Sequence, residues 1–351
     1  MVSVRNLGVL VGCLIVAACR PDLTETVSIV GAPRMLAVRS DPPEAAPKAM
    51  LAYTALYADG SGAITSAPID WAFCEARKPL KELGPVNPSC LARSADVLIE
   101  LGVGPEVPAV MPDIACRQFG PDAPEPVPGQ PASRPADPDT TGGYYQPLRL
   151  LVSTDGSDVY TIAETRVSCG VAGAPPDLST AFQQRYHLNA NPAVESLGIV
   201  NGTVVTPLAV DDGSGKTNPV ATGQRLSTRV TWRACPDPDV CGDGVCGPDE
   251  TAATCAGDCM AAQGCSGAER YVNMDLGSRS LVVEREGMRV SWFATGGAFD
   301  LDHTGRDATD PASTSDNAWT APRQGGQVHL WVVLRDDRGG VGWMAYVLDV
   351  R

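Results

Sequence analysis

Arg225-Leu226-Ser227-Thr228-Arg229-Val230-Thr231-Trp232-Arg233 alternates along its whole length. Leu226, Thr228, Val230 and Trp232 fall on one side, and the arginines, Ser227 and Thr231 on the other. A period of two marks a strand with one face in a core and one in water. Residues 288–294 repeat the device, with Met288, Val290, Trp292 and Ala294 set against Arg289, Ser291 and Phe293. Two further apolar runs, 328–334 and 341–350, are joined by Asp336-Asp337-Arg338-Gly339-Gly340, the composition of a hairpin turn. The carboxy-terminal part of the chain is therefore expected to be antiparallel β-structure.

Half of the 12 cysteines lie between the Arg225 strand and a strand expected near Tyr271: Cys235, Cys241, Cys246, Cys255, Cys259 and Cys265. The stretch is too short and polar to fold around an apolar core, so covalent or metal staples must hold it. In a reducing compartment such spacing suggests zinc thiolates; in an exported protein it suggests disulfides. Residues 235–265 are read as an insertion in a loop, with Cys235 and Cys265 placed to staple its base. Asp243, Asp249, Glu250 and Asp258 add carboxylates. Flexible oxygen donors suit Ca²⁺, which makes Asp243, Glu250 and Asp258 candidate calcium ligands and calcium the one cofactor suggested. The alternative is that these acids only form turns and solvate the loop.

Outward toward the amino terminus, strand-like runs recur at 35–39, 50–57, 69–74, 97–101, 148–152 and 159–169, punctuated by Asp41-Pro42-Pro43 and Asp59-Gly60-Ser61-Gly62. This is the spacing of a sandwich of short strands. Cys74 with Cys90, and Cys116 with Cys169, is the economical pairing here, although four cysteines allow three connectivities. Residues 120–141, rich in Pro, Ala and Asp, read as a surface excursion, either a recognition loop or a Pro-stiffened insertion without a partner. Residues 176–186 are the best helix candidate, with Leu178 and Phe182 on one face, before Asn189-Ala190-Asn191-Pro192 breaks the chain. The expected organisation is a first domain over 34–175, a connector over 176–192 and a second domain over 193–351.

Residues 1–18 have the layout of an export signal: Arg5 precedes an uncharged, mainly apolar run over 7–18. That run is shorter than the roughly 20 residues that span a bilayer. Val16-Ala17-Ala18-Cys19 resembles a bacterial lipobox, with Val where Leu is commonest. The resemblance implies a Cys19 acylated on sulfur and released as the new amino terminus, followed by a tether over 19–33. Leu10-Val11-Gly12-Cys13 fits the same pattern but would leave too short an apolar run, and an ordinary cleaved signal is the other alternative. Arg20 stands where Asp resembles an inner-membrane retention signal, which favours the outer membrane or cell surface.

The chain carries 27 basic and 41 acidic side chains, a net charge of −14 that becomes −15 without Arg5. Such a surface repels nucleic acid and anionic lipid. Thirty prolines and 36 glycines with few long helical patterns point to all-β structure with large loops.

No reaction is legible. Gly213-Ser214-Gly215-Lys216-Thr217 resembles the end of a phosphate-binding loop, but position 210 is Val and no strand–loop–helix context surrounds it. His187, His303 and His329 are far apart and outside any metal-ligand spacing, and no nucleophile-elbow motif occurs. Trp292, Trp319, Trp331 and Trp343 could line a glycan-binding surface or fill a core.

The phrases Ser291-Trp292-Phe293-Ala294-Thr295-Gly296-Gly297, Trp319-Thr320-Ala321-Pro322 and 330–340 resemble the closing strands of bacterial immunoglobulin-like and PKD-like extracellular domains. The stretches 41–47 and 51–55 resemble their opening strands. With the lipobox, the chain is similar to myxobacterial-type surface lipoproteins, and 241–259 resembles a repeat of secreted bacterial proteins, C-G-D-G-x-C, then Glu, then C-x-x-D-C. The resemblance implies two immunoglobulin-like β-sandwiches, the second with a disulfide-rich insertion, and brings no catalytic residues. The expected role is a non-catalytic cell-envelope protein with a structural, adhesive or partner-binding function, its partner a protein or glycan. A calcium- or glycan-binding surface module is the second reading and a secreted hydrolase the third.

Overall fold

In the computed structural model the described residues are 27–351, except 80, 122–140, 155–157, 172–173, 237–240, 243–245, 260–263 and 276. The first part of the chain forms β1 (Arg34–Asp41), β2 (Glu44–Ala45), β3 (Met50–Asp59), β4 (Gly62–Ala63), β5 (Ile69–Cys74), β6 (Leu98–Val103), β7 (Glu106–Val110), β8 (Tyr144–Ser153) and β9 (Asp158–Val167). The second forms β10 (Val194–Asn201), β11 (Val204–Pro207), β12 (Asn218–Val220), β13 (Arg225–Trp232), β14 (Arg270–Asp275), β15 (Ser280–Arg285), β16 (Met288–Ala294), β17 (Ala298–Phe299), β18 (His303–Arg306), β19 (Thr314–Thr320), β20 (Gly326–Asp336) and β21 (Val341–Val350).

One sheet of the first sandwich holds β1, β3 and β7 with β4 at the end of β3, and the other runs β2-β9-β8-β5-β6. In the second sandwich the sheets run β11-β10-β13-β19-β17 and β12-β21-β20-β16-β18. The two plans match. In each, the opening strand lies in one sheet, and a short continuation crosses over to pair parallel with the last strand, β2 with β9 and β12 with β21. These are tandem immunoglobulin-like sandwiches, and the all-β expectation holds.

Each has its own core because its strands alternate. Tyr53, Trp71, Phe73, Leu148 and Leu150 centre the first; Leu226, Val230, Trp232, Trp292, Trp319 and Leu330 centre the second. Trp71 and Trp292 stand on equivalent strands and are fully buried, the position that carries the core tryptophan in immunoglobulin-like folds.

Phe293 corrects the simple inside-outside reading of β16. The alternation sets it with Arg289 and Ser291, yet it is buried with Trp331, Val333 and Val341 against Leu36, Ala37, Leu56 and Ala58 of the first sandwich. The sheet containing β16 and β20 therefore has apolar cover on both sides, which is why Leu330 to Leu334 is uninterruptedly apolar. At Leu36 a bulge in β1 shifts the register, and the Leu36 carbonyl accepts a hydrogen bond from Arg335 at 2.8 Å.

The expected tether over 19–33 is corrected in its last part. Ser28 and Val30 are buried, and the Val30 and Ala294 amides donate to Ala294 and Ser28 carbonyls at 2.9 and 2.8 Å. Val30 is apolar enough to join the contact between sandwiches, so the chain is already docked there. Cys19 lies outside the described residues, as does 122–140 of the Pro-rich excursion.

The disulfides are Cys74–Cys90 and Cys116–Cys169 in the first sandwich, and Cys235–Cys265, Cys241–Cys255 and Cys246–Cys259 in the insertion between β13 and β16. The expected helix is present as α1 (Pro176–Arg185), started by Pro176 and turned inward at Phe182. Phe182 stacks on Tyr186 with centroids 4.7 Å apart.

Candidate functional site

Tyr186 is where α1 delivers the chain into the most charged buried region among the described residues. Its hydroxyl donates to both Glu44 oxygens, at 2.7 and 2.9 Å, and the Asn189 amide donates to the same carboxylate at 3.1 Å. Arg166 of β9 lies 3.4 Å from Glu44. The turn between β20 and β21 brings Arg338 into the same space, fully buried between Tyr271 and Tyr186, with ring centroids 4.6 and 5.6 Å away. Its guanidinium donates to Glu286 at 2.7 Å, to Glu269, and to the His187 carbonyl at 3.1 Å. Glu269 also accepts from the Cys265 amide at 2.6 Å, which ties the base of the cysteine-rich insertion to this junction.

Asp336 completes it. One oxygen accepts from the Arg338 and Gly340 amides at 3.0 and 2.7 Å and from the Asn189 side chain at 3.1 Å. The other is buried without a hydrogen-bond partner among the described residues, and a Cβ on Gly340 would collide with it, so glycine is required there for close approach rather than for a special φ. Asn191 continues the seam, its side chain accepting from the Val341 amide at 2.9 Å and donating to the Ser40 carbonyl at 2.7 Å.

Among the described residues, Glu44, Glu269, Glu286 and Asp336 thus share the site with the buried cations Arg166 and Arg338 alone. Withdrawal from water disfavours ionised carboxyls. Burial pushes Glu269 up to about 8 and Asp336 up to about 6, in both cases against the pull of Arg338. Glu286 is also raised well above the usual carboxylate range, first by burial and then by Asp336. Burial works against the charge of Arg338, but Glu269, Tyr186 and Glu286 outweigh it and hold the proton firmly.

None of these residues stood out in the sequence except through turn composition. In the sequence Arg338 reads only as part of a hairpin turn, and Asn189 and Asn191 as chain breakers. Their burial depends on elements up to 152 residues away in sequence, which no local pattern reports.

The candidate calcium ligands meet only in part. Glu250 and Asp258 are buried, with carboxylate oxygens in a cluster that spans 4.8 Å or less beside the Cys241 and Cys255 sulfurs, while Asp243 lies outside the described residues. Both acids accept backbone amides: Gly247 to Glu250 at 3.0 Å, and Gly242 to Asp258. They act as caps for loop amides, and the sulfurs are committed to a disulfide. The second Glu250 oxygen is nevertheless buried without a hydrogen-bond partner among the described residues. Asp249 pairs instead with Arg185 at 2.6 Å.

The histidines stay apart. His187 meets the Gly247 carbonyl at 2.9 Å, His303 meets Ser291 Oγ at 3.1 Å, and His329 stacks on Trp331. Ser291 is itself buried and accepts from Arg335 at 3.1 Å, and among the described residues no carboxylate is hydrogen-bonded to the imidazole to orient it, Asp302 acting on it only through its charge. Lys216 of the phosphate-loop look-alike pairs with Asp212 at 3.2 Å. Trp292 and Trp319 fill the second core, Trp331 fills the contact between sandwiches, and Trp343 lies under Arg39 at 4.9 Å.

No family model and no curated protein matches the chain. Among solved structures it is similar to a DUF4785 family protein from Legionella pneumophila, at 8% identity and TM-score 0.19, over 89% of this chain and 55% of that one. The Yersinia pseudotuberculosis adhesin InvE gives 10% identity and TM-score 0.19, over 89% and 58%. Tandem Ig repeats of Dlar give 8% identity and TM-score 0.23, over 92% and 98%. The chain spans little more than half the length of the two bacterial proteins.

Proposed function

We propose that the chain is a non-catalytic protein of the bacterial cell envelope, anchored by lipid on Cys19, in which two immunoglobulin-like sandwiches serve a structural, adhesive or partner-binding role. The observation that carries this reading is the use made of the charged groups. The acids and arginines withdrawn from water at the junction are spent on one another and on backbone groups where connector, insertion and both sandwiches meet. Buried ionic networks of this kind fix relative placement more than they add stability. The burial of Trp292, Trp319 and Trp331 also weighs against an aromatic glycan platform on the second sandwich.

Fractionation tests the anchor. Wild-type protein is expected in the membrane fraction and Cys19→Ser in the soluble one, since stable attachment needs the acyl chains; unchanged membrane association overturns the lipid assignment. Ester, peptide and glycoside reporter substrates test the non-catalytic reading, and turnover that His303→Ala removes would replace it with the hydrolase reading.

A calcium-binding insertion is the second reading, favoured by the unpartnered Glu250 oxygen beside Asp258. A metal that binds only the folded state raises its melting temperature. Millimolar Ca²⁺ should then raise the Tm and Asp243→Ala with Asp258→Ala should abolish the rise; a melting curve indifferent to Ca²⁺ and to chelator leaves a disulfide scaffold.

A further inference from the structure

The last strands of the two sandwiches are equivalent, but their outer edges are treated differently. In the second, the edge of β21 is covered by the chain itself. Pro192 presses against Gly342, Val210 forms an antiparallel bridge with Tyr346, the Asp211 amide donates to the Ala345 carbonyl at 2.8 Å, and β12 pairs with Leu348 to Val350. Leu208 and Val210 are carried by this stretch onto the side of the core.

In the first sandwich the crossover is short. Only Pro42 and Pro43 separate β1 from β2, and β2 pairs with β9 only at Arg166 and Val167. Among the described residues no strand lies beside β9 from Asp158 to Ala163 on the side away from β8. The Ser168 amide donates to the Ala45 carbonyl, so by the alternation of the strand Tyr160 and Ile162 turn their backbone groups to this side. Between β1 and β9 a cleft of about 370 Å³ opens, lined in part by Met35, Val38, Thr161 and Ala163 and closed at one end by Gly340 and Val341. Met35, Val38 and Ala163 are half-buried against the first core.

We infer that the open edge of β9 and the adjoining cleft take up an extended segment of a partner protein, added to the sheet as a strand with apolar side chains at alternate positions set into the cleft. The inference rests on the partner-binding reading above. The second sandwich supplies the precedent for the occupant: its own extended stretch, apolar at Leu208 and Val210, closes the equivalent side. The β9 edge also lacks the usual guards. Val159-Tyr160-Thr161-Ile162-Ala163-Glu164-Thr165 has one charge and no proline, where protected edges carry lysine, proline or a bulge. Backbone pairing would supply affinity and the cleft specificity, the mode of strand addition. A net charge of −14 sets copies of this chain against one another, which makes a different chain the fitting occupant.

The test uses soluble Cys19→Ser protein and a synthetic peptide of residues 204–212, the segment that includes the second sandwich's own cover. Saturable binding is expected, with amide exchange at Tyr160 and Ile162 fast in the free protein and slowed on binding. Ile162→Pro, which removes one outward N–H at an edge position where proline is tolerated, should weaken binding roughly tenfold. Val38→Arg, which blocks the cleft from the opposite strand, should do the same and serves if the proline variant fails to fold. Exchange at Ile162 already slow without peptide, unchanged with millimolar peptide, or native-like binding by both folded variants would overturn the inference. Dimers joined through β9 would overturn it in favour of a second copy. None of these results touches the non-catalytic reading, which the reporter substrates test separately.

Discussion

The two sandwiches share one strand plan and solve the same covering problem in different ways. In each, the sheet that carries the last strand has an outer face that needs shelter. The first sandwich shelters it locally. Residues 75–97 fold across it, Cys74–Cys90 staples them, and fully buried Arg149 donates to the Ala92 and Arg93 carbonyls at 2.8 and 2.9 Å while contacting Asp70 and Glu100. Among the described residues the second sandwich has no such flap. Phe293, Trp331 and Val333 are covered by the first sandwich and by Val30, and the ionic junction closes the rim. A sheet that covers itself can stand beside any neighbour; one that borrows its cover is committed to a particular one. The commitment of the second sandwich is what turns two modules into one assembly.

The strongest challenge to this contrast is removal of Arg338. Arg338→Met leaves Glu269 and Glu286 buried without their cation, and breaking a buried pair in this way costs about 3–5 kcal/mol. Calorimetry is expected to show one unfolding transition for the wild type and two for the variant, with the second sandwich melting first. A single transition at the wild-type temperature would mean that the apolar contact alone holds the pair.

Trp331→Ala sharpens the same point from the apolar side. Emptying a fully buried tryptophan site costs about 3–5 kcal/mol, with the lower end expected where the two surfaces can close on the gap. The loss should fall on the second sandwich, seen as faster exchange of amides in β16 and β20. An equal loss in both would show a single shared core.

The smallest effect expected is a pH dependence confined to the junction. Glu269 and Asp336 have folded-state values near 8 and 6, and Glu286 is raised as well, all above the unfolded value of about 4. Raised carboxyls add stability that is complete below their unfolded values and is lost as pH climbs through the folded ones. The Tm should therefore decline between about pH 5 and pH 8.5, and Glu269→Gln, which keeps shape without the charge, should flatten the upper part of that decline. A Tm that rises over this interval would contradict the assignment. In the first sandwich's covering contact burial likewise raises Glu100, but that side chain is half exposed and water screens its share of the slope.

Sequence alone determined what depends on neighbours along the chain. Alternation at 225–233 and 288–294 specified strands, Pro176 and the spacing of Leu178 and Phe182 specified a helix, and crowding of cysteines at 235–265 specified a stapled insertion. These follow from periods of two and 3.6 and from the inability of a short polar stretch to make a core. Tertiary structure decided which of two faces is dry when both are apolar, as at Phe293 and Trp331. It decided that Ser28 to Val30 dock, that Glu250 and Asp258 cap loop amides, and that Arg338 leaves its turn for the interior. Burial is set by what lies across space, and a strand's own residues record its periodicity but not the identity of the surface opposite.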